Sequence, residues 1–256
     1  MRILGINCLN HDAAMAVVDG QEILWAAHAE RYSKIKNDQY LNQQIVDEAM
    51  SYGPFDLVVY YEKPWLKKWR QFKANQYRYA FDYKELPSVY LKQFGIKIDE
   101  YVKHHHSHMA GGYYTAPFDD AMTLTIDAIG EMETMTIWDN EKMIARQQYP
   151  LSLGLLYSAI TKRIGLKPNE EEYITMGMAA YGKPIHSQYI KTYLLKRNNH
   201  KGVGQVLEWA KPEDLAASVQ YVYEKELIRI VRKYCRKTNL VLSGGCALNC
   251  VANSNL

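Results

Sequence analysis

Apolar residues gather in short runs at the start of the chain. Ile3, Leu4 and Ile6 open one strand, Met15-Ala16-Val17-Val18 form a second and Ile23-Leu24-Trp25-Ala26 a third. Asp19-Gly20 between the last two runs predicts a tight hairpin, because such a turn needs positive φ. The pattern returns downstream. Met122-Thr123-Leu124-Thr125-Ile126 reads as a strand, Asp127 to Glu131 as a loop and Thr134 to Trp138 as a second strand. Asp139-Asn140 is a turn, and Met143-Ile144-Ala145 a third strand. Met15 matches Met135, Asp19 matches Asp139 and Asn7 matches Asp127, each 120 residues apart. One shared offset predicts a duplicated lobe; chance pairing of two hairpins is the alternative.

Helical spacing fills the intervals. Leu41 to Ser51 has apolar residues at 41, 45, 46 and 49, an amphipathic helix. Phe55 to Tyr60 is a short buried strand, and Trp65 to about Phe94 is basic and aromatic, read as a solvated helical face. Ser152 to Ile164 and Pro212 to Lys237 read as helices, with Pro212 suited to a first turn. A strand Leu240-Val241-Leu242 then runs into Ser243-Gly244-Gly245 and a further helix. Strands alternating with helices predict an α/β fold. The boundary is expected after Pro117-Phe118-Asp119-Asp120, giving lobes of residues 1–120 and 121–256.

Composition narrows the class. The 256 residues are 48% hydrophobic and 23% charged, with net charge +3. These values exclude a disordered tail, a collagen and a coiled-coil rod. No apolar run is long enough for a transmembrane helix, and the N-terminus turns polar too early for a signal peptide. Membrane and nucleic-acid partners are therefore not expected. The four cysteines, at 8, 235, 246 and 250, form no CxxC pair, so they read as reduced, buried thiols of a cytoplasmic protein.

Candidate chemistry sits in four places. His104-His105-His106-Ser107-His108 holds half of the eight histidines. On a helix His104 and His108 share a face and could reach one metal; surface or satisfied core histidines are the alternative. Asp127 ends a buried strand before a Gly-containing loop, where a carboxylate can bind a metal or simply form a turn. Gly244-Gly245 lets backbone approach a ligand, or makes a tight strand–helix turn. His11-Asp12 occupies the equivalent loop of the first hairpin, and a histidine there could act as a general base.

Taken in order, these segments resemble the carbamoyltransferase family that modifies antibiotics and nodulation factors, whose N-terminal domain is related to the tRNA threonylcarbamoyl-transfer proteins. The likeness covers almost the whole chain. It is carried by Ile3-Leu4-Gly5-Ile6-Asn7 with His11-Asp12-Ala13-Ala14, and by Glu30-Arg31-Tyr32-Ser33-Lys34-Ile35-Lys36. It continues through Tyr61-Glu62-Lys63-Pro64-Trp65-Leu66-Lys67, the histidine run with Ala116-Pro117-Phe118, and Thr125-Ile126-Asp127-Ala128-Ile129-Gly130-Glu131. It ends with Ser152-Leu153-Gly154-Leu155-Leu156-Tyr157, Met176-Gly177-Met178-Ala179-Ala180-Tyr181-Gly182 and Ser243-Gly244-Gly245-Cys246-Ala247-Leu248-Asn249.

The resemblance implies an actin/hexokinase-like fold of two ribonuclease-H-like lobes. It also implies a two-step reaction. Carbamoyl phosphate and ATP, with Mg2+, give carbamoyl adenylate, and the carbamoyl group then passes to an acceptor hydroxyl. By resemblance His104, His108 and Asp127 hold a divalent metal, iron foremost, with zinc or manganese as alternatives. His11 deprotonates the acceptor, and Lys36 holds carbamoyl or phosphate oxygens. Asp12, Gly130, Glu131, Gly244, Gly245 and Asn249 are expected around the nucleotide. The chain departs from the family at Ala128, usually Gly, at Ile174, usually Lys, and at Asn37, often His. Family members also run roughly twice as far, so the second lobe is expected to be incomplete, with a second polypeptide as a candidate partner. The rival functions are tRNA threonylcarbamoyl transfer and a non-catalytic nucleotide-binding or assembly role.

Overall fold

The computed structural model describes every residue from Met1 to Leu256. The chain divides into two compact units, Met1–Ser107 and His108–Leu256. The division falls ahead of residue 120 and inside a helix, His104–Tyr113. Most of that helix belongs with the second sheet: the Ser243 hydroxyl donates to the His108 carbonyl at 2.6 Å.

In the first unit β1 (Arg2–Asn7), β2 (Ala14–Asp19) and β3 (Glu22–His28) form an antiparallel meander. β4 (Leu57–Tyr60) and β5 (Glu100–Tyr101) extend it in parallel, giving the order β3-β2-β1-β4-β5. Alternation along β1 and β2 buries Leu4, Ile6, Met15 and Val17 on one face. Ile45, Val46 and Ala49 of the helix Gln43–Met50 join the same core. That helix starts where the Asn42 side chain accepts from the Ile45 amide at 3.1 Å, and its apolar spacing sets the buried face.

In the second unit β6 (Met122–Ile126), β7 (Glu133–Asp139), β8 (Lys142–Gln148) and β9 (Leu240–Ser243) take the order β8-β7-β6-β9. β6 is buried along its whole length, as expected of a central strand covered on both faces. Leu156 and Ile160 of the helix Leu153–Arg163 share one core with Leu124 and Ile137. Leu215, Val219, Val222 and Leu227 of the helix Pro212–Tyr234 complete it. The latter helix begins with Pro212, Glu213 and Asp214 and ends with Arg232 and Lys233 in its last turn, the arrangement its dipole favours.

The duplication is visible strand by strand. In the first unit Arg2 pairs with Asp19, Leu4 with Val17 and Ile6 with Met15. In the second, Met122 pairs with Asp139, Leu124 with Ile137 and Ile126 with Met135, the same register 120 residues on. The next strand pair breaks register between Val17 and Val18 in one unit and between Ile137 and Trp138 in the other. A bulge retained at the matching position argues for a repeated supersecondary unit rather than two unrelated hairpins.

Two local expectations change. The basic, aromatic stretch is a helix Pro64–Lys73 followed by short turns, and the helix exposes Trp65, Trp69 and Phe72 while burying Arg70 and Gln71. Of the cysteines only Cys8 is buried outright; Cys250 is exposed. Burial pushes the Cys8 thiol up to about 12, opposed by its hydrogen bond with Tyr60, so it is inert as a nucleophile.

Candidate functional site

β6 and β9 are adjacent and parallel, so their carboxyl ends lie side by side. Ligand sites in open α/β sheets form beyond such ends. Asp127 follows β6, and Gly244-Gly245 follows β9. Asp127 is fixed by its own backbone: its amide donates to the Thr134 carbonyl at 3.1 Å, and its Oδ1 accepts from the Ala128 amide at 2.7 Å. Its Oδ2 lies 3.5 Å from His108 Nε2. Gly244 has φ +90°, and a Cβ there would come within 2.9 Å of the Ile126 carbonyl carbon. A Cβ at Gly245 would stand 3.3 Å from Asp127 Oδ1. Both glycines therefore let the β9 turn close over the end of β6.

Ser152 and Gly154 brace this loop from the other side. The Ser152 hydroxyl donates to the Ala128 carbonyl at 2.6 Å and accepts from the Leu155 amide at 3.0 Å, capping its helix. A Cβ on Gly154 would fall 2.6 Å from Ala128 Cα and 2.7 Å from Cys246 Sγ. Gly154→Val should therefore lower stability by about 1–3 kcal/mol or more, since rigid backbone must move. Thermal unfolding checks this; an unchanged midpoint would contradict the packing described.

His104 and His108 lie one turn apart on an unbroken helix, so the helix itself sets their spacing. One donor atom from each of His104, His108 and Asp127 lies within 4.8 Å of the others. Two imidazoles and a carboxylate suit a divalent transition metal such as iron, zinc or manganese, so these residues fit the expected ion. Glu62, just past β4, is 4% exposed beside His104. Burial alone would raise its carboxyl; His104 and Lys67 outweigh that and bring it down to about 2.

In the first unit His11 Nδ1 lies 2.7 Å from Asp12 Oδ2, and the His11 ring is more than half exposed. Asp12 has φ +52°, and its carbonyl accepts from the Asn7 side chain at 2.8 Å. Asn7, the counterpart of Asp127, thus braces the His11 loop. Lys36 is exposed, and with Asp12, Lys34 and Asn37 it lines an open groove. Lys34 and Asn37 both hold left-handed φ, near 60° and 56°. That bends the segment around Lys36.

The remaining expected residues fall as follows. The Gly130 amide donates to the Glu133 carbonyl at 2.9 Å, closing the loop after β6, and Glu131 is 1% exposed. The Asn249 amide is engaged within the protein. Its Oδ1 caps the helix Cys250–Asn253 through the Ala252 amide at 2.9 Å, and its Nδ2 donates to Gln220 Oε1 at 2.8 Å. The structure thus gives Asn249 a bracing position behind the glycine turn. Gln220 also accepts from the Tyr157 hydroxyl at 2.9 Å, and the Tyr223 hydroxyl donates to the Cys246 carbonyl at 2.8 Å. Sequence reading missed Glu62, Gln220 and Tyr223 as parts of the site; only Glu62 stood in a quoted motif. The second-unit groups Asp127, Gly244 and Gly245 meet at the ends of β6 and β9, with Gly130 in the loop after β6, whereas His11 and Lys36 lie in the first unit.

Comparison with known proteins adds a family match, two relatives and a solved structure. Residues 58–211 and 195–256 match the family described as carbamoyltransferase N-terminus. The chain is 31% identical to an uncharacterized protein of Synechocystis sp., covering 99% of this chain and 52% of that protein. It is 25% identical to nodulation protein NolNO of Sinorhizobium fredii, covering 98% of this chain and 42% of that protein. The chain thus spans about half the length of these relatives. Among solved structures, component A of (R)-2-hydroxyglutaryl-CoA dehydratase from Acidaminococcus fermentans superposes with TM-score 0.53 at 12% identity, covering 100% of this chain and 87% of that one. The fold is actin/hexokinase-like, with a ribonuclease-H-type strand order in each unit. No helix is long and apolar enough to cross a membrane.

Proposed function

Because this chain belongs to the carbamoyltransferase N-terminus family, we propose that it performs the transfer step of an O-carbamoyltransferase, moving a carbamoyl group from carbamoyl adenylate to an alcohol. The family match over most of the chain carries this reading. The clustering of Asp127, His108 and the glycine turn at the ends of β6 and β9 supports it. On this reading a separate step consuming ATP and carbamoyl phosphate supplies the adenylate.

The acceptor hydroxyl oxygen forms a bond to the carbamoyl carbon. The bond from that carbon to the adenylate phosphate oxygen breaks, and AMP leaves with the electron pair. The hydroxyl proton passes to His11 Nε2. Asp12, 2.7 Å from Nδ1, holds the ring with its other nitrogen outward and stabilises the imidazolium that forms. Lys36 offsets negative charge on the carbamoyl or phosphate oxygens. Asp127, His104 and His108 would hold a divalent ion, which when bound would supply positive charge for the phosphate. Gly244 and Gly245 let the β9 turn close over the end of β6, where the nucleotide would lie.

Calorimetric titration with ATP and with AMP tests the nucleotide part. The chain should bind, and Gly244→Val should abolish binding, because valine brings both a strained φ and a clash with Ile126. Undiminished binding in a folded Gly244→Val protein would remove the β9 turn from the site.

A further inference from the structure

Glu62 has no task in the transfer chemistry, yet it is a carboxylate 4% exposed at the end of β4. Its Oε1 accepts from Lys67 Nζ at 2.8 Å, and its Oε2 faces His104 Nδ1 at 3.8 Å. His104 is itself 5% exposed. Its ring is flanked by Tyr61, with centroids 5.3 Å apart, and by His105, 5.8 Å away. Pro64 opens the helix that brings Lys67 one turn back toward Glu62. The ring of His104 thus packs against aromatic neighbours with its Nδ1 edge toward a buried carboxylate.

From this placement we infer that Glu62 is a positioning residue for the metal centre: its carboxylate faces His104 Nδ1 as an acceptor, so the ring keeps its proton on Nδ1 and the Nε2 lone pair is left for the ion. The inference rests on the metal reading proposed above. Its physical basis is general. A neutral imidazole has one protonated and one bare nitrogen, and the group facing the first decides which is bare. A carboxylate at Nδ1 selects one tautomer, fixes the ring's orientation and raises the basicity of Nε2. Lys67 Nζ, 2.8 Å from Oε1, in turn fixes the position of the Glu62 carboxylate. A purely structural Glu62–Lys67 pair would do none of this for His104.

Two measurements on the 256-residue protein separate these roles. Co2+ titration of the chelator-stripped protein, by competition with a chromophoric chelator, should give about one ion per chain for wild type. Glu62→Gln should weaken that affinity about 10–100-fold. Lys67→Met should lower the unfolding midpoint while retaining Co2+ affinity closer to wild type than Glu62→Gln does. Equal affinity in wild type and Glu62→Gln overturns the inference and leaves the metal reading standing. Wild type that binds no Co2+ overturns both. The second measurement needs no substitution at Glu62. Nitrogen-15 NMR of the metal-free wild type at alkaline pH should show His104 as the Nδ1–H tautomer. The Nε2–H tautomer would overturn the inference even if Glu62→Gln failed to fold.

Discussion

His11→Ala lowers carbamoyl transfer by about 10²–10⁴-fold, the scale of a lost general base, when preformed carbamoyl adenylate is the donor. The expectation follows from the loop that carries the residue. Asn7 holds that loop through the Asp12 carbonyl, and Asp12 meets Nδ1 of the ring. With Nδ1 engaged by Asp12, Nε2 is the nitrogen proposed to take the proton. Alanine removes the proton acceptor without touching the buried core of the sheet, so folding should persist. Single-turnover kinetics with the chemical step limiting is the right readout, because a loss of binding would appear in the concentration dependence instead. Asp12→Ala should also slow transfer, since the ring would lose its orientation. An unchanged single-turnover rate in His11→Ala takes His11 out of the mechanism.

His108→Ala is expected to empty the proposed metal centre. Wild-type protein prepared without chelators is expected to hold about one divalent ion per chain. His108 supplies the nitrogen 3.5 Å from Asp127, so its loss leaves His104 and one carboxylate, too few ligands for tight binding. Elemental analysis reads the result directly. Stoichiometric metal in the His104→Ala/His108→Ala double variant would show that the ion sits elsewhere. Fold is not at stake, because the helix keeps its tie to β9 through the His108 backbone carbonyl.

The repeated hairpins were legible in sequence, as were the long helices Leu153–Arg163 and Pro212–Tyr234. Asp-Gly at 19–20 and Asp-Asn at 139–140 announced their turns, and the 120-residue offset announced a duplicated lobe, whose shared register and bulge only the strand pairing reveals. Ser243-Gly244-Gly245 was readable as a strand-to-helix turn because only glycine tolerates the φ and the approach to Ile126. Other features escaped because the signal lay in partners distant along the chain. The Asn249 amide donates to Gln220, 29 residues earlier, a pairing that no neighbouring residue announces. Nothing near Glu62 in sequence indicates that it would meet His104. Periodicity in Pro64–Lys73 shows that two faces exist and not which one meets solvent; the buried one carries Arg70 and Gln71. β5 is only two residues long, too short for any alternation to register.

The central claim is that this chain moves a carbamoyl group from adenylate to alcohol. Metal-loaded wild-type protein, given freshly made carbamoyl adenylate with a labelled carbamoyl carbon and a panel of small polyols and sugars, tests it most directly. The account predicts AMP release faster than in protein-free controls, with label appearing one-for-one in an alcohol carbamate. AMP released at the control rate by a chain that binds AMP, with no labelled carbamate from any alcohol, would contradict it.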